Sequence, residues 1–154
     1  VLLISHRGNL EGPSPERENH PDYLLGALKE GFQVEADIWR DEEKWFLGHD
    51  EPQYEIDESF LDGLGSSNSL WAHAKNIDAL NKMASEERYL FWNYFWHQED
   101  DYTLTSNGYI WTYPGKRLAH KSICVLPEAS NHDILDCKGI CSDYITKYKK
   151  ENKL

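Results

Sequence analysis

Cysteine, basic residues and long apolar runs are all scarce in this 154-residue chain. Its three cysteines, Cys124, Cys137 and Cys141, are few and odd in number, which excludes a disulfide framework. Cys137 and Cys141 would make half a zinc site at most, and no second pair follows. Buried thiols in a reducing compartment are the expectation, and with them a cytoplasmic location. Sixteen bases stand against 27 acids, for a formal charge of −11, and such a field repels nucleic acid. No apolar run approaches the ~20 residues of a membrane-spanning helix, and no basic-then-apolar leader opens the chain. What the chain has is aromatic side chains. Six Trp and nine Tyr, within 40% apolar residues, argue for a folded core with rings left over to line a pocket. The length suits one domain spanning residues 1–154.

Short apolar runs alternate with helical patterns. "VLLISHRG" reads as a buried strand ending in polar residues and a glycine. "HPDYLLGALKEG" reads as a helix with Pro21 in its first turn, a stripe of Leu24, Leu25 and Leu28, and Gly31 closing it. "FQVEADIW" is the second strand, "KWFLGHD" a short extended arm, and residues 51–68 a long loop with about one helical turn. "SLWAHAKN", "YLFWNYFWH", "GYIWTYP", "SICVLPE" and "GICSDYI" read as further strands. "IDALNKMASEER" is a helix, Glu99 to Asp101 the acidic start of another, and "TKYKKENKL" a charged terminal helix. The alternation predicts α/β architecture with parallel strands.

The polar residues sharpen that expectation. In "VEADIW" the side chains of Glu35 and Asp37 share one strand face, while Val34, Ala36 and Ile38 take the other. Two carboxylates that close resist joint ionisation unless a positive group lies between them. A divalent cation would serve, and so would Arg7 with Lys75. His6 and Arg7 end the first strand, His73 and Lys75 share a face late in the third, and His97 ends the fourth. Trp111 and Tyr113 share a face of the fifth, Glu128 ends the sixth and Asp143 the seventh. A parallel barrel gathers its chemistry at that end of its strands.

"SHRGN", "ENHPDYLLGALKEG", "VEADIW" and "LGHD", in that order over the first third of the chain, resemble the glycerophosphodiester phosphodiesterase family of the phospholipase-C-like superfamily. "LWAHAKN" and "GICSDYI" extend the resemblance more faintly. It implies a compact (β/α) TIM-type barrel with shortened or missing helices and an active site at the carboxyl ends of the strands. It also implies a metal-dependent phosphodiesterase of glycerophosphodiester-like substrates. His6 and His49 match the family's general acid and base, a task suited to a side chain titrating near neutrality. Arg7 matches the arginine that grips phosphate through its planar fork. Glu35 and Asp37 match metal ligands, Glu18 an acid close to the metal, and Lys75 a lysine that neutralises a phosphate oxygen. In that mechanism a hydroxyl of the substrate attacks phosphorus, and no Ser or Cys here sits in a nucleophile motif.

His73 departs from the pattern, because the family carries its third metal acid at that position. The resemblance implies magnesium, calcium or manganese, whereas a nitrogen ligand brings in zinc or iron. A packed histidine with no metal is the other reading of His73. His97 and Trp111 are placed as substrate-side residues, with core roles as their alternative. The chain also falls below the ~200 residues at which such barrels usually begin. A phosphodiester small molecule is the expected partner. A silent relative that binds a phosphorylated or sugar ligand, and a lyase that stops at a cyclic phosphate, are the competing functions.

Overall fold

The computed structural model describes residues 1–130, 134 and 136–151. Strand β1 (Leu2–His6) leads through a loop to helix α1 (Pro21–Lys29). The His20 ring accepts a bond from the backbone N–H of Asp22, Pro21 supplies the fixed first turn, and Gly31 (φ 84) follows the last. Strand β2 (Gln33–Asp41) turns back at Glu42 and Glu43, both at positive φ, into antiparallel β3 (Lys44–Leu47) and then β4 (Tyr54–Ile56). Next come α2 (Glu58–Gly65), β5 (Leu70–Ala74) and α3 (Ile77–Ser85). The second half holds β6 (Asn93–Phe95), β7 (Tyr102–Leu104), β8 (Ile110–Thr112), β9 (Ser122–Val125), β10 (Gly139–Ser142) and α4 (Ile145–Glu151).

Among the described residues these strands form one ten-stranded mixed sheet. β6, β5, β2, β1, β10, β9 and β8 pair in that order, all parallel, while β3, β4 and β7 are antiparallel. The sheet curls into a half-barrel. Its convex side buries Val34, Ala36, Ile38 and Ala72 against α1, α2 and α3 through Leu24, Leu61, Leu64 and Met83. Its concave side is floored by Ile4, Trp71, Phe95, Trp111, Ile123 and Cys141. Strand alternation then lifts His6, Glu35, Asp37 and His73 one level above that floor.

This architecture corrects the expected (β/α) TIM-type barrel. A helical crossover between parallel strands needs a dozen or more residues. Residues 113–121 are too few, so a plain loop joins β8 to β9, and the stretch from β6 to β8 is taken up by antiparallel β7 instead of a helix. Only a 3-10 turn at Pro127–Ala129 follows β9 among the described residues. Helical cover therefore lies over part of the sheet alone. Other expectations shift as well. Residues 51–68 carry β4 and α2 rather than one helical turn, and Glu99 to Asp101 lead into β7 rather than a helix. "YLFWNYFWH" is extended only over Asn93–Phe95. The predicted terminal helix is seen to Glu151, its last three residues lying outside the described part.

Candidate active site

Register places the chemistry. His6 lies beside Glu35 across β1 and β2, and Asp37 beside His73 across β2 and β5. Glu35 is 2% exposed and Asp37 not at all. One ligand atom from each of Glu35, Asp37 and His73 lies within 4.8 Å of the others. The Nε2 of His73 is 2.8 Å from the backbone oxygen of His97. A carbonyl only accepts, so Nε2 carries the proton and Nδ1 is turned toward the two acids. It stands 3.0 Å from Asp37 Oδ1 and 3.7 Å from Glu35 Oε1. Glu35 Oε2 and Asp37 Oδ1 are buried with no hydrogen-bond partner. Orphaned carboxylate oxygens of this kind are costly, and a divalent cation held by one oxygen of each acid and by His73 Nδ1 would offset the two buried charges. The donor set fits such an ion.

The other face of Asp37 is already taken. Arg7 leaves β1 in a left-handed conformation (φ 54), which brings its Nε to 3.0 Å from Asp37 Oδ2 and its Nη1 to 3.3 Å from Glu18. Asn19, also left-handed (φ 62), donates to Asp37 Oδ2 at 2.8 Å and accepts the Asp37 backbone N–H at 2.9 Å. Lys75 Nζ is 3.7 Å from Oδ1. Burial opposes ionisation of Asp37, but the His73 contact and the Arg7 charge outweigh it and hold its pKa well below the usual carboxylate range. Glu35 moves the opposite way: burial and the neighbouring Asp37 charge raise its pKa.

His6 is held from behind. Its Nδ1 is 2.7 Å from Asp143 Oδ1, while Nε2 faces Glu35 Oε2 at 3.8 Å. Burial lowers the His6 pKa, yet the Asp143 hydrogen bond and the Glu35 charge leave it raised above 6.5. Asp143 is correspondingly lowered, its hydrogen bond to His6 overcoming burial. Asn9 joins the groups, donating to Asp143 at 2.8 Å and to Glu18 at 2.9 Å.

His49 follows Gly48 in the turn after β3. A side chain at Gly48 (φ 152) would sit 2.1 Å from the Glu51 carbonyl oxygen, so only glycine fits. The His49 ring is 45% exposed, with Nδ1 at 2.7 Å from Asp50. The concave mouth encloses about 570 Å³. His6, Arg7, Glu18, Glu35, His49 and His73 line it, Lys75, His97 and Trp111 complete the expected set, and Asp37 lies beneath. Trp111 is mostly core, 4.6 Å from Phe95 and 5.9 Å from Trp71 between ring centroids, with one edge reaching the cavity. A hollow of equal volume beside Tyr102 and Leu104 carries no comparable chemistry.

Asn9, Asn19 and the His6–Asp143 pairing are the parts that reading along the chain does not assign. Asn9 and Asn19 sit inside the quoted motifs, but neither shows its partner locally. Asp143 reaches His6 only because β10 pairs with β1. Asn19→Ala should leave the Asp37 N–H buried and unpaired, costing about 1–3 kcal/mol. It should also weaken cation binding about tenfold to a hundredfold, as loss of a group orienting a ligand does. Calorimetry on the variant checks this, and unchanged affinity would remove the role.

Comparison with family models, with curated proteins and with solved structures returns no match for this chain. Among the described residues no helix is long and apolar enough to cross a membrane.

Proposed function

We propose that the chain is a metal-dependent phosphodiesterase that hydrolyses glycerophosphodiester-like substrates by histidine acid/base catalysis. The observation that carries this reading is the buried acid pair Glu35 and Asp37, each with one oxygen lacking a hydrogen-bond partner, gathered with His73 Nδ1 beside a buried arginine and His6. Glu35, Asp37 and His73 would hold one divalent cation, with Glu18 nearby as part of the Arg7 anchor. When bound, that ion supplies Lewis-acid neutralisation of charge on the phosphoryl oxygens. The chain's own groups do the rest. Arg7, fixed by Asp37 and Glu18, presents a fork to phosphate, and Lys75 adds a point charge. His6, oriented by Asp143, offers Nε2 to the reacting oxygens and moves a proton. His49, on the rim, is the complementary acid/base group. The diester's own hydroxyl is the nucleophile, and the site's work is positioning and neutralisation. Three free thiols suit a cytoplasmic setting.

The exposure of His49, held by Asp50 rather than by an inner partner, favours a second reading as a silent phosphate-ester binder. One experiment separates the readings. Manganese, magnesium, calcium and zinc are titrated calorimetrically into the protein and into Asp37→Ala, and glycerophosphodiesters are then followed by phosphorus NMR. One site with a preference for manganese or zinc, lost in the variant, and conversion to a phosphomonoester are expected. Binding without turnover selects the silent relative, and accumulation of a cyclic phosphate selects the lyase. Equal cation binding by parent and variant would refute the metal assignment.

A further inference from the structure

The cavity is chemically two-sided. Its charged side is the cluster around Asp37, whereas the side built by the ends of β8 and β9 carries Trp111, Tyr113, Pro114, Val125 and Leu126. None of these five bears a charge. Tyr113 is 42% exposed at the lip, its ring 6.0 Å from that of His97. Leu126 is held in the left-handed region (φ 45, ψ 57), which a leucine adopts only at a cost and a glycine would adopt freely. Its backbone N–H is fixed to the Cys141 carbonyl at 2.8 Å, so the strained residue is locked at the mouth with its side chain on the apolar side. Strain retained at a cavity wall points to a use for the isobutyl group there.

The charges around this side decide what it can hold. Glu18 is occupied by Arg7 and Asn9, Asp143 by His6 and Asn9, and Glu35 is 2% exposed among the cation ligands. Asp100, whose charge reaches His97, lies outside the lining. Lys75, His73 and His97 line the same cavity, the His97 ring reaching the Tyr113 lip. An ammonium headgroup placed there would meet apolar neighbours and, outside the cation ligands, no carboxylate that lacks a partner.

Resting on the phosphodiesterase reading, we propose that this wall is the subsite for one ester substituent of the substrate, and that this substituent is an uncharged alcohol with an aryl or alkyl face. Diesters of quaternary or primary ammonium alcohols are disfavoured. Burying a ring-sized apolar group against such a wall strengthens binding by about tenfold or more.

Calorimetry on the manganese-loaded protein tests this with three probes: inorganic phosphate, phenyl phosphate and phosphocholine. Phenyl phosphate should bind about tenfold tighter than inorganic phosphate, and phosphocholine no tighter than inorganic phosphate. Leu126→Asn, a residue that tolerates the left-handed backbone, and Tyr113→Ser at the exposed lip should each reduce the phenyl advantage severalfold. Their affinity for inorganic phosphate should not change. Phosphocholine binding as tightly as phenyl phosphate would overturn the proposal. So would an unchanged phenyl advantage in the Tyr113 variant, whose exposed position leaves folding intact. Failure of inorganic phosphate to bind at all would overturn the phosphodiesterase reading itself, and the subsite with it.

Discussion

Glu35→Gln is expected to raise the melting temperature of the metal-free protein and to abolish its stabilisation by divalent cations. The Glu35 carboxylate is buried beside Asp37, and its Oε2 has no hydrogen-bond partner. Burial and the Asp37 charge both raise its pKa, so its ionised form is disfavoured in the fold. An amide of the same shape removes that charge, a relief on the order of 1–2 kcal/mol. In a domain of this size each kcal/mol moves the midpoint by about 2–4 °C. The parent should gain about 2.7 kcal/mol from a cation at a hundred times its dissociation constant, and the variant almost none.

The same substitution has a pH signature. A folded-state pKa above the ordinary 4.5 means that the native state holds the Glu35 proton longer than the unfolded chain does. Metal-free stability therefore falls as pH rises from about that value through the raised one, and Glu35→Gln removes this slope. Asp37 acts in the reverse sense: its contribution is present above its ordinary 3.8 and is lost as pH falls below it toward its depressed value. That acid limb should survive in the variant. Denaturant melts across the pH series check both limbs, and a variant less stable than the metal-free parent near neutrality would contradict the electrostatic account.

His6→Ala should lower turnover on a glycerophosphodiester by on the order of a hundredfold or more, the usual loss for a proton-transfer group. Asp143→Asn is the more discriminating change. The Asp143 hydrogen bond helps hold the His6 pKa above 6.5 against burial, so its loss lets burial prevail. The limb of the kcat/KM profile belonging to His6 should then move to lower pH, with a smaller fall in the maximum. Asn9 still contacts Glu18 in that variant, so the Arg7 anchor remains. An Asp143→Asn profile with an unmoved limb would mean that His6 does not titrate in the reaction.

Local chemistry alone placed several of these features. Alternation along a strand puts Glu35 and Asp37 on one face whatever the rest of the chain does. Pro21 and Gly31 bound α1 because one fixes φ and the other permits a positive φ. His6 and Arg7 at a strand end, and His49 at a turn, were likewise readable as points where polar groups leave the sheet. These are consequences of covalent geometry and near neighbours, which the chain carries in any fold.

Pairing across distance was decided elsewhere. Nothing near Asp143 announces His6, and the contact exists because β10 packs beside β1. Asn19 grips Asp37 because its loop and that of Arg7 both take left-handed turns, a choice driven by the satisfaction of buried groups on β2. The barrel expected from alternating strands and helices opened into a half-barrel because β7 takes up the stretch between β6 and β8 as an antiparallel strand and the β8–β9 connection is too short for a helix. The sequence by itself determined which residues could face one another across a strand. The tertiary structure decided which strands were neighbours, because strand order is set by the burial of two sheet faces at once rather than by any one segment.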